Sequence, residues 1–151
     1  IQRDGVPYDL ITKSLPTVEG AVNDILAQVV DFSIVFSMNG KDIDTHIVYD
    51  DDRIWSLELS SGMERFISSL AIRIGLMNVS NLPQGNFLAI DEGWGTMDSD
   101  NLNSVAQLFQ YLKSQFQFTF VVSHIETMRD FVDTLLEIKK VDGSSSVRFS
   151  R

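Results

Sequence analysis

Four apolar residues run straight into two charges in Phe87-Leu88-Ala89-Ile90-Asp91-Glu92. A second apolar run, Phe118-Thr119-Phe120-Val121-Val122, ends on Ser123-His124. If the two runs are neighbouring strands of a parallel sheet, Asp91, Glu92 and His124 converge at its carboxyl edge, where such sheets bind ligands. That set of groups supports metal-assisted hydrolysis of a phosphate. One carboxylate holds Mg²⁺, usually through water; the other orients or deprotonates the attacking water; the imidazole contacts the transferring phosphoryl group. Each member also has a plainer reading. Acids after a strand are common in helix-capping loops, Asp98 or Ser99 is suited to cap the helix that follows, and a lone loop histidine is ordinary. The joint arrangement is what points to chemistry.

A second group lies upstream, in Leu57-Glu58-Leu59-Ser60-Ser61-Gly62-Met63-Glu64-Arg65-Phe66. Ser61 and Glu64 have the S-x-x-E spacing of a capping box at the start of a long helix. Ser60, Ser61 and Gly62 also offer hydroxyls, backbone N–H groups and a helix dipole in one place, which is what an anion needs. Both readings stand on the residues alone. The phosphate loop G-x-x-x-x-G-K-[ST] is missing. The one Gly-Lys pair, Gly40-Lys41, is followed by Asp42, has Val35 at the first glycine's place, and reads as a hairpin turn. The chain thus carries the metal and water end of a nucleotide hydrolase without its cradle.

The elements that must position these groups are legible from periodicity. Tyr8 to Val30 reads as mostly helical, with Leu15, Val18, Val22, Ile25, Leu26 and Val29 near a 3.6 period and Pro16 as a possible kink or restart. Residues 32–38 and 43–49 read as strands joined at Asn39-Gly40, and 53–58 as a third strand, making a small antiparallel layer. Residues 62–79 form an apolar helix with Met63, Phe66, Ile67, Leu70, Ile74 and Met77 on one face. A strand at 87–90, a helix at about 99–115, a strand at 118–122, a short helix from about 125, and strands near 134–140 and 146–150 follow, the last two joined at Asp142-Gly143. Strand, helix, strand with short connections implies a right-handed parallel crossover. Continuous apolar runs such as FLAI and FTFVV are expected of strands covered on both faces. His46 alternates on its strand with Asp44 and Val48 and reads as structural. The fold class is α/β.

Bulk properties narrow the classes. At 151 residues with 44% hydrophobic content the chain suffices for one domain's core. A formal charge of −9 with no basic run argues against the chain itself being a nucleic-acid clamp. Zero cysteines exclude a disulfide scaffold or a thiolate metal site, and fit an intracellular setting. No apolar run reaches the roughly 18 residues of a membrane span, and no signal-peptide pattern opens the chain. A start at Ile1 rather than Met leads us to expect a piece of something longer.

The ordered set Ser60-Ser61-Gly62-Met63-Glu64-Arg65-Phe66, then Phe87 to Glu92, then Gly95-Thr96-Met97-Asp98, then Val121-Val122-Ser123-His124 resembles the C-terminal half of a P-loop, ABC-type ATPase head. The likeness is to SbcC-type and SMC-type DNA repair ATPases, spans most of residues 8–150, and has its specific motifs between 59 and 124. In such proteins a long antiparallel coiled coil separates this lobe from the P-loop lobe, so the missing cradle is expected. The resemblance implies a mostly parallel sheet with flanking helices plus a small antiparallel layer near the N-terminus. Residues 1–30 would be the end of the returning coiled-coil helix where it joins the head, 31–58 the antiparallel layer, and 59–151 the ATPase lobe.

By position, Asp91 resembles the Walker B aspartate that helps hold Mg²⁺, and Glu92 the catalytic glutamate. His124 resembles the switch histidine at the γ-phosphate. Asp98 resembles the D-loop aspartate at the dimer interface. Ser61 and Gly62, with Ser60 beside them, resemble the signature that caps ATP on the opposite head. Met63 replaces the signature's second glycine; it weakens the contact if the backbone must approach phosphate closely, and not if only its N–H is needed, with the side chain in the core. Arg65 on the polar side reads as a lever or as a solvated arginine, and Trp94 as a packing residue.

The implied mechanism is an ATP sandwich. Mg²⁺ and ATP are held by the N-terminal P-loop lobe of the same parent, two heads close over them, and hydrolysis releases the heads. Implied partners are a second head, an SbcD-type nuclease and DNA reached through the complex, with no membrane and a cytoplasmic or nucleoid-associated location. The chain alone is expected to be inactive. Two other classes remain on the residues: a module that dimerises with ATP without turning it over, and a metal-dependent phosphoesterase needing no ATP.

Overall fold

The computed structural model describes residues 5–49, 53–92 and 102–150. Its first element, α1 (Gly5–Leu26), passes through Pro16 without a break. Burial changes at that point. Residues 8–17 are exposed or half-buried, whereas Val18, Val22, Ile25 and Leu26 beyond it are buried. The half of α1 before Pro16 therefore stands off the body, and the half after it packs.

A three-stranded antiparallel sheet follows, in the order β1 (Ser33–Asn39), β2 (Asp42–Val48) and β3 (Ile54–Ser56). Asn39 pairs with Asp42, so the hairpin loop is Gly40-Lys41, one residue later than the expected Asn39-Gly40. Gly40 opens it at φ +63°, a conformation that L side chains rarely adopt. The expected third strand is short, and residues Leu57–Leu59 turn into a 3-10 segment instead.

Helix α2 (Gly62–Val79) packs along the inner half of α1. The crossing is close because of Gly75. A Cβ there would lie 2.7 Å from Val22 Cγ2 and 3.3 Å from the Val22 amide nitrogen. Val22, Leu26, Ile67 and Ile74 fill the contact with almost no solvent exposure, as interior packing density requires. All six residues expected on the apolar face are core or rim: Met63, Ile67, Leu70 and Ile74 are buried, with Phe66 and Met77 half-buried against them.

Strands β4 (Phe87–Asp91) and β5 (Phe118–Val122) pair in parallel, from Phe87↔Phe118 to Asp91↔Val122, with helix α3 (Leu102–Gln115) between them in sequence. Parallel pairing among the described residues is confined to this pair; the remaining strands pair antiparallel. The short helix expected from about 125 is a 3-10 segment, Glu126–Phe131, whose Phe131 stacks on Phe109 of α3 at 5.9 Å. Strands β6 (Leu135–Val141) and β7 (Ser144–Ser150) close the chain as a hairpin around Asp142-Gly143, both at positive φ as a tight two-residue turn demands.

The expectation that β4 and β5 are covered on both faces is corrected within this chain. Their burial alternates. Leu88, Ile90, Thr119 and Val121 turn inward, while Phe87, Ala89, Phe118, Phe120 and Val122 are exposed. Phe87 is 64% and Phe118 59% accessible. The helices cover one side of the pair, and nothing among the described residues covers the other. In the terminal hairpin Leu136, Ile138, Val147 and Phe149 are likewise exposed cross-strand neighbours, and β7 is exposed along its whole length.

Candidate functional site

The pairing of β4 with β5 places their carboxyl ends side by side. The Glu92 amide extends the ladder by one bond, donating to the Val122 carbonyl at 3.0 Å. Glu92 then turns to φ 59°, the left-handed region, which costs a non-glycine residue about 1–2 kcal/mol. On the other strand the Ser123 hydroxyl accepts the Ile125 amide at 3.1 Å, which fixes the loop carrying His124. The result is that Glu92 Oε1 lies 3.3 Å from His124 Nδ1. Both side chains are well exposed, at 62% and 74%, so the pair contributes little to stability. Its Nδ1 engaged, the imidazole has Nε2 left for a second partner. Asp91 is exposed at the end of β4.

The two runs are thus neighbours, and the sequence expectation that they bring Glu92 and His124 together holds. Asp98, Ser99 and Trp94 lie outside the described residues. Among the described residues no group of three or more His, Asp or Glu side chains stands ready-made around a metal ion. A single exposed carboxylate such as Asp91 still suits Mg²⁺, which binds through one or two carboxylates and completes its shell with water and substrate phosphates.

At the start of α2 the capping box is complete. Ser61 Oγ accepts the Glu64 amide at 3.2 Å, and Glu64 Oε2 accepts the Ser61 amide at 2.5 Å. Because the first amides of any helix lack intrahelical partners, those of Gly62 and Met63 remain available there. Met63 itself is 3% exposed, its side chain in the core, so its N–H stays at the helix start while its bulk does not. Ser60 differs from Ser61. It is buried, and its hydroxyl donates to the Leu57 carbonyl at 2.6 Å, which holds the turn before the helix. Arg65 is exposed, as expected of the polar side.

Sequence reasoning missed one participant. The Tyr49 hydroxyl donates to Glu64 Oε1 at 2.5 Å. Burial would raise the Glu64 carboxyl, but hydrogen bonds from Tyr49 and Ser61 outweigh it and hold it below the usual range. Burial first, then the bond to Glu64, pushes the Tyr49 phenol well above its ordinary value. Nothing in the order of residues marks a tyrosine after β2 as the partner of a glutamate in α2. His46, by contrast, is a half-buried sheet residue opposite Val35 and Ser56, in keeping with its structural reading.

No protein-family model matches the chain. It is 35% identical over 160 residues, covering 95% of this chain, to the uncharacterized protein R555 of Acanthamoeba polyphaga mimivirus. It is 29% identical over 123 residues, covering 79% of this chain, to the SbcC component of the SbcCD nuclease of Staphylococcus aureus. The chain spans 12% of the length of each of these two relatives. Among solved structures it matches an SMC ATPase, described with ATP-driven dimerization and DNA-stimulated activation, at a TM-score of 0.75 and 16% identity, covering 95% of this chain and 89% of that one. In sequence and fold together, the chain is similar to the C-terminal lobe of an SbcC/SMC-like ATPase head. No helix among the described residues is long and apolar enough to cross a membrane.

Proposed function

We propose that this chain, similar to the C-terminal lobe of SbcC/SMC-like ATPase heads, is the catalytic-glutamate half of an ATP-hydrolysing head in a DNA repair or recombination ATPase. The observation that carries the reading is the 3.3 Å approach of Glu92 to His124 across the ends of the parallel pair. Glu92 orients or deprotonates the attacking water, and His124 contacts the transferring phosphoryl group. Asp91 would hold Mg²⁺, which when bound neutralises charge on the phosphate oxygens. Ser61 and Gly62 cap ATP held by the opposite head, with Ser60 stiffening the turn that presents them; Asp98 serves the interface between heads.

The phosphate cradle comes from an N-terminal P-loop lobe of the same parent. The uncovered faces of β4–β5 and β6–β7 support that assignment, because exposed aromatic residues of this extent on one side of a sheet mark an interaction surface. α1 is then the end of a coiled-coil helix, its residues before Pro16 leaving the body. A second head, an SbcD-type nuclease and DNA reached through the complex are the partners, at a cytoplasmic or nucleoid site. The buried Met63 side chain gives no support to a head that binds ATP without turnover.

The test is Mg-ATP turnover by the parent chain with both lobes, beside this chain alone. The parent should turn over and this chain should not. Glu92→Gln in the parent should lower turnover by roughly 10²–10⁴-fold and leave ATP bound with heads locked together. Rapid turnover by that variant, or phosphodiester cleavage by this chain alone with Mn²⁺, would count decisively against the reading.

A further inference from the structure

We propose that Tyr49 is a positioning residue, through which the attitude of α1 sets the geometry of the Ser61 end of α2. The inference rests on the reading of that helix start as the contact with ATP on the opposite head.

Glu64 is the reason a positioning residue is needed. It places a carboxylate in the first turn of a helix whose start is to meet a triphosphate, and like charges at close range repel. Both of its oxygens are held: Oε1 by the Tyr49 hydroxyl and Oε2 by the Ser61 amide, each at 2.5 Å. Its own amide occupies the acceptor side of Ser61 Oγ, which leaves the Ser61 hydroxyl proton to be donated elsewhere. With the Tyr49 hydroxyl removed, Oε1 loses the partner it has among the described residues, and the carboxylate can rotate toward the incoming phosphate.

Tyr49 is in turn held by groups that lead back to α1. Its ring stacks on Trp55 at 5.3 Å, tilts against Phe32 at 5.4 Å, and has the Arg53 guanidinium 5.5 Å from its centroid. Phe32 is buried on the segment that leaves α1. Side chains of α1 bond the outer edge of β1 as a neighbouring strand would. Asn23 donates to the Ile34 carbonyl at 2.9 Å and accepts the Ile34 amide at 2.8 Å, and Glu19 Oε2 accepts the Phe36 amide at 2.7 Å. β1 pairs with β2 along its whole length, and Tyr49 follows β2 directly. A tilt of α1 is therefore carried by β1 and β2 to Tyr49, and from Tyr49 to Glu64 by a single hydrogen bond. That bond can be deleted without opening a cavity, which makes the link testable.

The experiment uses the full parent. Tyr49→Phe keeps the ring contacts and removes the hydroxyl. Hydrogen exchange without nucleotide should become faster at the Ser61 amide, with thermal unfolding lowered by only a few degrees. ATP-induced head association should weaken by about tenfold, the size of a lost hydrogen bond to a charged group, while ATP affinity at the parent's own P-loop stays the same. Adding Glu64→Gln removes the freed charge, so the double variant should associate better than Tyr49→Phe alone. A purely structural role predicts additive losses instead. Unchanged exchange at Ser61, unchanged head association, or additive losses would each overturn the inference. Glu92→Gln run in parallel separates the two failures. Heads that do not lock with ATP in that variant overturn the ATPase reading; locked heads beside wild-type behaviour of Tyr49→Phe overturn this inference alone.

Discussion

Around the start of α2, polar groups are bonded to one another and apolar surface is covered. Ser61, Glu64 and Tyr49 close a hydrogen-bonded chain, Met63 lies in the core, and α1 crosses α2 at the distance Gly75 permits. Around the ends of β4 and β5 the opposite holds. Glu92 and His124 face solvent, Glu92 carries a strained backbone, and the sheet beside them presents Phe87, Phe118 and Phe120 to water. Both regions belong to the same ATPase reading, yet only the first is closed over among the described residues. The contrast separates a scaffold that folds around its own helices from a strand edge and sheet face left exposed among the described residues. Strain and exposed apolar surface gather where function needs them.

The sharpest way to break that comparison is to alter the uncovered face. Phe87→Ser with Phe118→Ser should weaken capture of the separately produced P-loop lobe by roughly 10²-fold or more, since buried aromatic anchors dominate interfaces. Titration of the two lobes measures it, and unaltered affinity would mean the face has another purpose. Next in size is the closed-over side. Gly75→Val should destabilise the chain by about 1–3 kcal/mol through overpacking against Val22, with helix propensity returning only a few tenths. Denaturant unfolding reads this directly; a neutral result would show that α1 can move away from α2 freely. The smallest effect has the opposite sign. Glu92→Gly should raise stability by about 1 kcal/mol by relieving the left-handed backbone while abolishing turnover in the parent. A loss of stability instead would place the strain elsewhere.

Several features needed no coordinates. The S-x-x-E spacing at Ser61 and Glu64 is local, because a capping box closes within one helical turn, and it is present as read. The faces of α1 and α2 follow from a 3.6 period, and the β6–β7 hairpin from Asp142-Gly143. The approach of Glu92 to His124 was legible as a conditional, since two apolar runs ending in polar residues meet only if the strands pair. Placement of the hairpin loop failed by one residue because register, and not turn composition alone, decides which pair closes it.

What the sequence by itself determined is therefore what depends on neighbours along the chain: the helix faces, the capping box, and which polar residues stand at the strand ends. Tertiary structure decided whatever depends on neighbours across it. It showed that apolar strands which look covered on both sides are bare on one among the described residues, because a continuous apolar run does not say which of its two faces the chain's own helices reach. It also joined Tyr49 to Glu64 and Gly75 to Val22, contacts between elements distant in sequence. No periodicity encodes those pairs, since a hydrogen bond or a close crossing is fixed by where two elements come to rest on a shared core.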